Sequence, residues 1–138
     1  VDLPPEESAG LDRALKKNKL DLIYLLTPTS DAERIRIVCK RARGFVYFVS
    51  ITGITGAGLN AEGEIRKKVA EIRKRTKLPI AIGFGISKPE HARAMGRIGD
   101  AVVIGSSVVK MIEAGRGKLL ERKLESFIRS MKSAANGG

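Results

Sequence analysis

Four short apolar runs, each followed by a stretch whose apolar residues recur at helical spacing, constrain the fold of this chain more than any other feature. The runs are Asp21-Leu22-Ile23-Tyr24-Leu25-Leu26, Phe45-Val46-Tyr47-Phe48-Val49-Ser50, Leu78-Pro79-Ile80-Ala81-Ile82-Gly83-Phe84-Gly85 and Ala101-Val102-Val103-Ile104. Short, nearly continuous apolar segments rich in β-branched residues are the signature of buried parallel strands. Strands that alternate with helices give a parallel sheet covered by helices, the α/β class. The alternation is too regular for an α+β arrangement, and no linker or low-complexity stretch divides residues 1–138, which read as one domain.

The helices follow from spacing and end signals. Pro5, Glu6 and Glu7 ahead of Leu11, Ala14 and Leu15 predict a helix over residues 5–17. Thr29-Ser30-Asp31 caps a second, with Ile35, Val38, Cys39 and Ala42 inward and Gly44 as its stop. A third spans 61–76 with Ile65, Val69 and Ile72 on one face. Ser87 is the expected cap of the next, with Pro89 in its first turn. A short helix is predicted from Ser106 or Ser107 to Glu113. Gly115 and Gly117 separate it from a last helix over 119–131, and the tail 134–138 is expected to fray.

The third and fourth strands both end in glycine turns, Gly83-Phe84-Gly85-Ile86-Ser87 and Gly105-Ser106-Ser107. Glycine lets the chain approach an anion closely, and the helix that follows offers unpaired N–H groups and a partial positive charge. A doubly wound sheet has its glycine fingerprint after the first strand. Here that strand ends in Thr27-Pro28, and the glycine turns come last, as in β/α barrels. Four strands cannot close such a barrel, which takes eight strands and typically ~250 residues. Either the chain is half a barrel by itself, or the remaining strands lie on a segment not present here, and a start at Val1-Asp2 favours the second. Val1-Asp2 would begin at the tail of a preceding strand.

Composition narrows the partners. The chain has 138 residues, 43% of them hydrophobic, which is enough for a core. No apolar run is long enough to span a bilayer, and no charged segment followed by an apolar one marks a leader at the start. Cys39 is the single cysteine, read as a buried helical thiol that fits a reducing, cytoplasmic compartment. One His and one Cys far apart give no metal site. The net charge of +11 raises nucleic acid as a partner, yet the basic residues lie on predicted helix faces and no aromatics interleave with them. Solvated outer faces are the expectation, and an acidic segment elsewhere would balance the charge.

In order and spacing, several motifs resemble the α subunit of tryptophan synthase. They are Asp2-Leu3-Pro4-Pro5-Glu6-Glu7, Phe48-Val49-Ser50-Ile51-Thr52-Gly53-Ile54-Thr55-Gly56-Ala57, Gly83-Phe84-Gly85-Ile86-Ser87-Lys88-Pro89-Glu90 and Gly105-Ser106-Ser107-Val108-Val109. The Ser-x-Thr-Gly-x-Thr-Gly loop is the most specific of them. The resemblance implies about the C-terminal half of a TIM (β/α)8 barrel, from the end of strand four through strand eight. It also implies a lyase that cleaves indole-3-glycerol phosphate to indole and glyceraldehyde 3-phosphate, without a cofactor of its own. Its partner would be a pyridoxal-phosphate-dependent β subunit in an α2β2 assembly. The catalytic Glu and Asp of the family fall on the first barrel half, so this chain carries no catalytic residue and by itself is expected to be inactive.

By the same resemblance Gly85, Gly105 and Ser106 hold phosphate, with Gly56 adding a contact from the loop after strand six. Phe84 walls the indole pocket, Tyr47 lies near the glycerol, and Thr55 belongs to a lid that closes over substrate. Asp2 and Pro4 border the β-subunit interface, with Asp2 in a signalling rather than a chemical role. His91 is read as a helix residue with no catalytic part. An alternative from another class is a non-catalytic half-barrel that binds phosphorylated ligands or pairs with itself through its open edge strands.

Overall fold

A computed structural model describes residues 3–50 and 58–137, with side chains from 62 onward in the second stretch. Among the described residues a four-stranded, all-parallel sheet runs in sequential order, β1 (Leu25–Leu26), β2 (Val46–Val49), β3 (Ile80–Gly83) and β4 (Ala101–Val103). The connections are α2 (Ala32–Arg41), α3 (Gly58–Arg73) and α4 (Pro89–Gly96); α1 (Ala9–Lys17) precedes the sheet, and α5 (Ser106–Ala114) and α6 (Gly117–Ala135) follow it. Parallel neighbours joined by helices form the predicted α/β pattern.

Register separates the two faces of the sheet. Leu25, Tyr47, Ala81 and Ala101 pair in one row and Leu26, Phe48, Ile82 and Val102 in the next, so successive rows point to opposite sides. Leu26, Val46, Phe48, Ile80 and Ile82 are fully buried and form one core with Ile35 and Val38 of α2, Val69 and Ile72 of α3, Met95 of α4 and Met131 of α6. Each such side chain stabilises the fold by about 1.5–3 kcal/mol. On the other face Leu25, Tyr47, Val49 and Val103 are only half-buried and Ala101 is exposed. Strands buried on both faces were expected. Among the described residues only Ala81 and Gly83 of β3 are buried on this face, and the core helices α2, α3, α4 and α6 pack on the opposite one.

The elements are shorter or shifted where long-range partners decide. The predicted first strand shrinks to two paired residues, since an edge strand has a ladder on one side alone. Residues 5–8 form a turn rather than the start of α1, closed by the Ser8 hydroxyl, which donates to the Pro5 carbonyl at 2.7 Å and shares a 2.7 Å hydrogen bond with the Tyr24 hydroxyl. No residue of α1 is buried, and Leu11 remains 45% exposed. Asp31 caps α2 as expected, its carboxylate accepting from the Arg34 amide at 2.7 Å. That helix ends at Arg41; Gly44 takes a left-handed φ of +68° in the turn beyond. The third helix starts at Gly58, earlier than predicted, and ends at Arg73. Lys88, not Ser87, occupies the N-cap of α4, with no side-chain cap bond, and Pro89 follows. The tail does not fray at 134. Helix α6 continues to Ala135, because Ala134 is buried against the core.

Basic residues on the helices are paired along the chain: Arg36 with Glu33, Arg66 with Glu62, Lys68 with Glu71 and Arg129 with Glu125. These are solvated faces, each exposed pair contributing at most about 0.5 kcal/mol.

At the amino ends of β3 and β4, the Asp100 carboxylate accepts from the Ile80 amide at 2.9 Å and pairs with Arg73 at 3.0 Å. The Ile80 amide, and after it Arg73, hold the Asp100 carboxyl below the ordinary aspartate range. A depressed carboxyl contributes stability above its unfolded pKa and loses it as pH falls through the folded value. Asp100→Asn is therefore expected to lower the urea midpoint at neutral pH, with the difference from the parent shrinking progressively as pH falls below the ordinary aspartate range. A midpoint difference that stays constant from neutral to acid pH would contradict this.

Candidate functional site

The two glycine turns leave the sheet side by side. Gly83 and Val103 are Cα partners, so β3 and β4 end in register and their turns start from the same level. Beyond Gly83, Phe84 has φ +148° and Gly85 has φ +65°. A side chain at such a φ is strained, and strain of this kind, about 1–3 kcal/mol per residue, gathers at functional sites. Phe84 is 50% exposed, whereas Ile86 returns to the core. Gly105 occupies the N-cap of α5 with no side-chain bond, and its carbonyl accepts from the Val108 and Val109 amides at 2.9 and 3.2 Å. The amides of Gly85, Gly105 and Ser106 have no backbone partner among the described residues. Gly105 and Ser106 lie at the start of α5, where the helix dipole favours a small anion, and Gly85 lies in the turn three residues ahead of the α4 N-cap.

Tyr47 joins this end of the sheet from β2. A Cβ built on Gly83 would stand 2.7 Å from the Tyr47 hydroxyl and 2.7 Å from the Val103 Cβ. The phenol therefore lies over Gly83, next to the turn that carries Phe84. Partial burial pushes its pKa up, so it is neutral and able to donate at physiological pH. Ser50, the residue after β2, is buried. Its amide donates to the Gly83 carbonyl at 3.2 Å, and its hydroxyl has no partner.

The structure thus brings together Tyr47, Phe84, Gly85, Gly105 and Ser106 of the predicted residues. Asp2, Thr55 and Gly56 lie outside the described residues. Pro4 sits in the turn ahead of α1, its carbonyl accepting from the Glu7 amide at 3.0 Å, and Glu6 of that turn pairs with Arg34 at the start of α2 at 2.7 Å. A cleft of about 370 Å³ there is lined by Glu6, Thr27, Ser30, Asp31 and Arg34. Sequence reasoning missed the part of Ser107, whose hydroxyl donates to the Ile86 carbonyl at 3.2 Å and bridges the two turns. The signal was a second serine in the first turn of α5, about 100° around the helix from Ser106. It read Gly83 as an anion-approach glycine and missed the close approach of Tyr47 and Val103, which leaves no room for a side chain there.

Cys39 is half-buried, and burial raises its thiol pKa against the opposing effect of Arg75, which keeps it protonated and unreactive. His91 is buried in the first turn of α4 and accepts only a long 3.5 Å contact from the Ser87 amide. Among the described residues no group of His, Cys, Asp and Glu is arranged to hold a metal, and no helix is long and apolar enough to cross a membrane.

A four-stranded parallel sheet joined by helices, with two glycine turns after adjacent strands, matches part of a β/α barrel. Comparison with known proteins gives the family. A model described as tryptophan synthase alpha chain matches residues 1–136, and the chain belongs to that family. It is 45% identical over 134 residues to the tryptophan synthase alpha chain of Geobacter sulfurreducens, covering 97% of this chain and 51% of that protein. Tryptophan synthase subunit alpha from Campylobacter jejuni matches 97% of this chain and 50% of its own, with 34% identity and a TM-score of 0.77. A structure of Mycobacterium tuberculosis tryptophan synthase matches at 28% identity and a TM-score of 0.80, over 97% of this chain and 49% of that one. The chain spans about half the length of the curated relatives it matches. Its sheet and helices are correspondingly about half of a TIM barrel.

Proposed function

We propose that this chain is the phosphate-holding half of a carbon–carbon lyase of tryptophan biosynthesis that cleaves indole-3-glycerol phosphate to indole and glyceraldehyde 3-phosphate. The observation that carries this is the pair of turns, in register after β3 and β4, with the unpartnered amides of Gly85, Gly105 and Ser106. Those amides and the Ser106 hydroxyl take the phosphate, Phe84 walls the indole, and the neutral Tyr47 phenol faces the glycerol. Gly56 and Thr55 add a phosphate contact and a closing lid. The cleavage is a retro-aldol step. Indole C3 is protonated while the ring nitrogen gives up its proton, and a base removes the glycerol hydroxyl proton. The C–C bond then breaks with its electron pair drawn into the C2=N of the indolenine, which regains its N–H as indole and the aldehyde form. Two carboxylates of distinct pKa suit this chemistry. They belong to the N-terminal barrel half, so this chain binds and orients rather than transfers protons, and it needs no cofactor.

The open sheet face of Leu25, Tyr47, Val49 and Val103 supports docking of that other half. So does a groove of about 520 Å³ along β4 and α6, lined by Gly96, Val102, Ile104, Ile128 and Met131. The Asp2–Pro4 end would meet a β subunit that carries pyridoxal phosphate, in the cytoplasm. Self-pairing through the same open face is the second reading. The net charge of +11 works against it, since two copies would repel, and favours a less basic complement.

The test combines this chain with the N-terminal half of the Geobacter sulfurreducens relative and measures indole released from indole-3-glycerol phosphate. Each half alone is expected to be inactive and the mixture active. A stable homodimer of this chain in sedimentation, with no activity gained on mixing, would instead establish the second reading.

A further inference from the structure

We infer that Ser107 is a positioning residue that fixes the spacing of the two phosphate-binding turns. The inference rests on the phosphate reading above and names a residue that does not itself meet the ligand. Gly85 and Ser106 belong to separate turns, each leading into its own helix. The only covalent path between them runs through α4 and β4. Their amides can converge on one phosphate only if the turns keep a fixed separation.

The β3–β4 ladder sets that separation at Gly83 and Val103, but it stops there, and both turns extend beyond it. Past the ladder, the hydrogen bond between the turns is the one from the Ser107 hydroxyl to the Ile86 carbonyl, 3.2 Å long and part-buried. It is anchored at both ends. The Ile86 side chain is 3% exposed in the core, and Ser107 sits in the first turn of α5, whose start is tied back by the Gly105 carbonyl. Ile86 precedes the N-cap of α4, so no α4 amide reaches its carbonyl; the α4 amides of His91 and Ala92 bond to the Lys88 carbonyl instead. Ser106 and Ser107 then divide the work. The Ser106 side is exposed and free to meet an anion, while Ser107 faces the neighbouring turn.

The ligand class that benefits is a phosphate monoester, whose oxygens accept from both turns at once. A ligand held by one turn alone would not sense the tie. The same hydroxyl is available on threonine and absent from alanine, which makes the inference separable from simple packing.

The experiment measures the affinity of inorganic phosphate and of glycerol 3-phosphate by isothermal titration. It uses the full chain combined with the N-terminal half of the Geobacter sulfurreducens relative, as parent, Ser107→Ala and Ser107→Thr. Thermal midpoints without ligand are taken alongside. The expected result is a roughly 3- to 10-fold loss of affinity in Ser107→Ala for both ligands, the size of one net hydrogen bond, with Ser107→Thr within about twofold of the parent. Parent-like affinity in Ser107→Ala, whether or not its thermal midpoint falls, would overturn the inference and leave the phosphate reading intact. Equal losses in Ala and Thr variants would also overturn it. Failure of the parent to bind either ligand would remove the phosphate reading itself.

Discussion

Gly83→Val is expected to disable the site and to cost about 2–3 kcal/mol of stability. Valine is the better strand former by about 1 kcal/mol, so propensity alone predicts a gain. Contacts reverse the sign. The new Cβ would stand 2.7 Å from the Tyr47 hydroxyl, 2.9 Å from its ring and 2.7 Å from the Val103 Cβ. Either the phenol swings out over the open face or the β3–β4 ladder parts at Gly83 and Val103, where both turns begin. Both outcomes move the two glycine turns and with them the amides proposed to hold phosphate. Titration with glycerol 3-phosphate should report a loss of at least about tenfold, and urea unfolding a lower midpoint. Two controls give the prediction an internal check. Tyr47→Phe removes the hydroxyl but leaves the ring and Val103 in place, so it should not rescue Gly83→Ala. Tyr47→Ala vacates two of the three clashes and should restore part of the stability of Gly83→Ala, a coupling between sites that each substitution alone would not reveal. Parent-like affinity and midpoint in Gly83→Val would show that Tyr47 does not lie where its contacts put it.

The second large effect is expected far from the site. Gly96 ends α4 where the last turn of α6 crosses it, and a Cβ there would lie 2.3 Å from the Ala135 carbonyl oxygen and 3.0 Å from its Cα. These are backbone atoms of a helix and cannot rotate away. Gly96→Ala would gain at most about 1 kcal/mol in helix propensity. To make room, α6 must lift, which uncovers Met131 and Ala134, now 1% and 4% exposed. Loss of that packing outweighs the gain, for a net cost of about 3 kcal/mol. Urea denaturation gives the magnitude, and hydrogen exchange should place the loss in α6 while the amides of β2 and β3 keep their protection. An unchanged midpoint would mean that α6 does not pack against α4 at Gly96. Because α6 also lines the groove along β4, the variant should bind the complementary barrel half less tightly as well.

These two glycines illustrate how much was legible. Gly85 could be recognised from sequence, since a glycine at the end of an apolar run signals a turn whatever surrounds it, and its φ of +65° agrees. Gly83 was read as part of the same turn, but what forbids a side chain there, and at Gly96 as well, comes from residues 20 or more positions away. The same division runs through the helices. Asp31 caps α2 through its own local geometry and was read correctly. The start of α1 was read four residues too early, because Ser8 is committed to Tyr24, just ahead of β1, rather than to extending a helix from Pro5. Ser87 was taken as a cap because serine favours that position, yet the chain enters α4 from a turn whose shape is set by Phe84 and Gly85, which moves the N-cap to Lys88.

By itself, the sequence determined the class of the fold, the number and order of its strands, and which turns could approach an anion. Each of these depends on residue type and spacing over a few positions, and short-range sterics and hydrophobic periodicity act at that range. Only the tertiary structure decided that the two turns emerge at one level, that Ser107 ties them, and that one face of the sheet stays uncovered. Those are consequences of strand register, which is fixed by packing between segments distant in the chain.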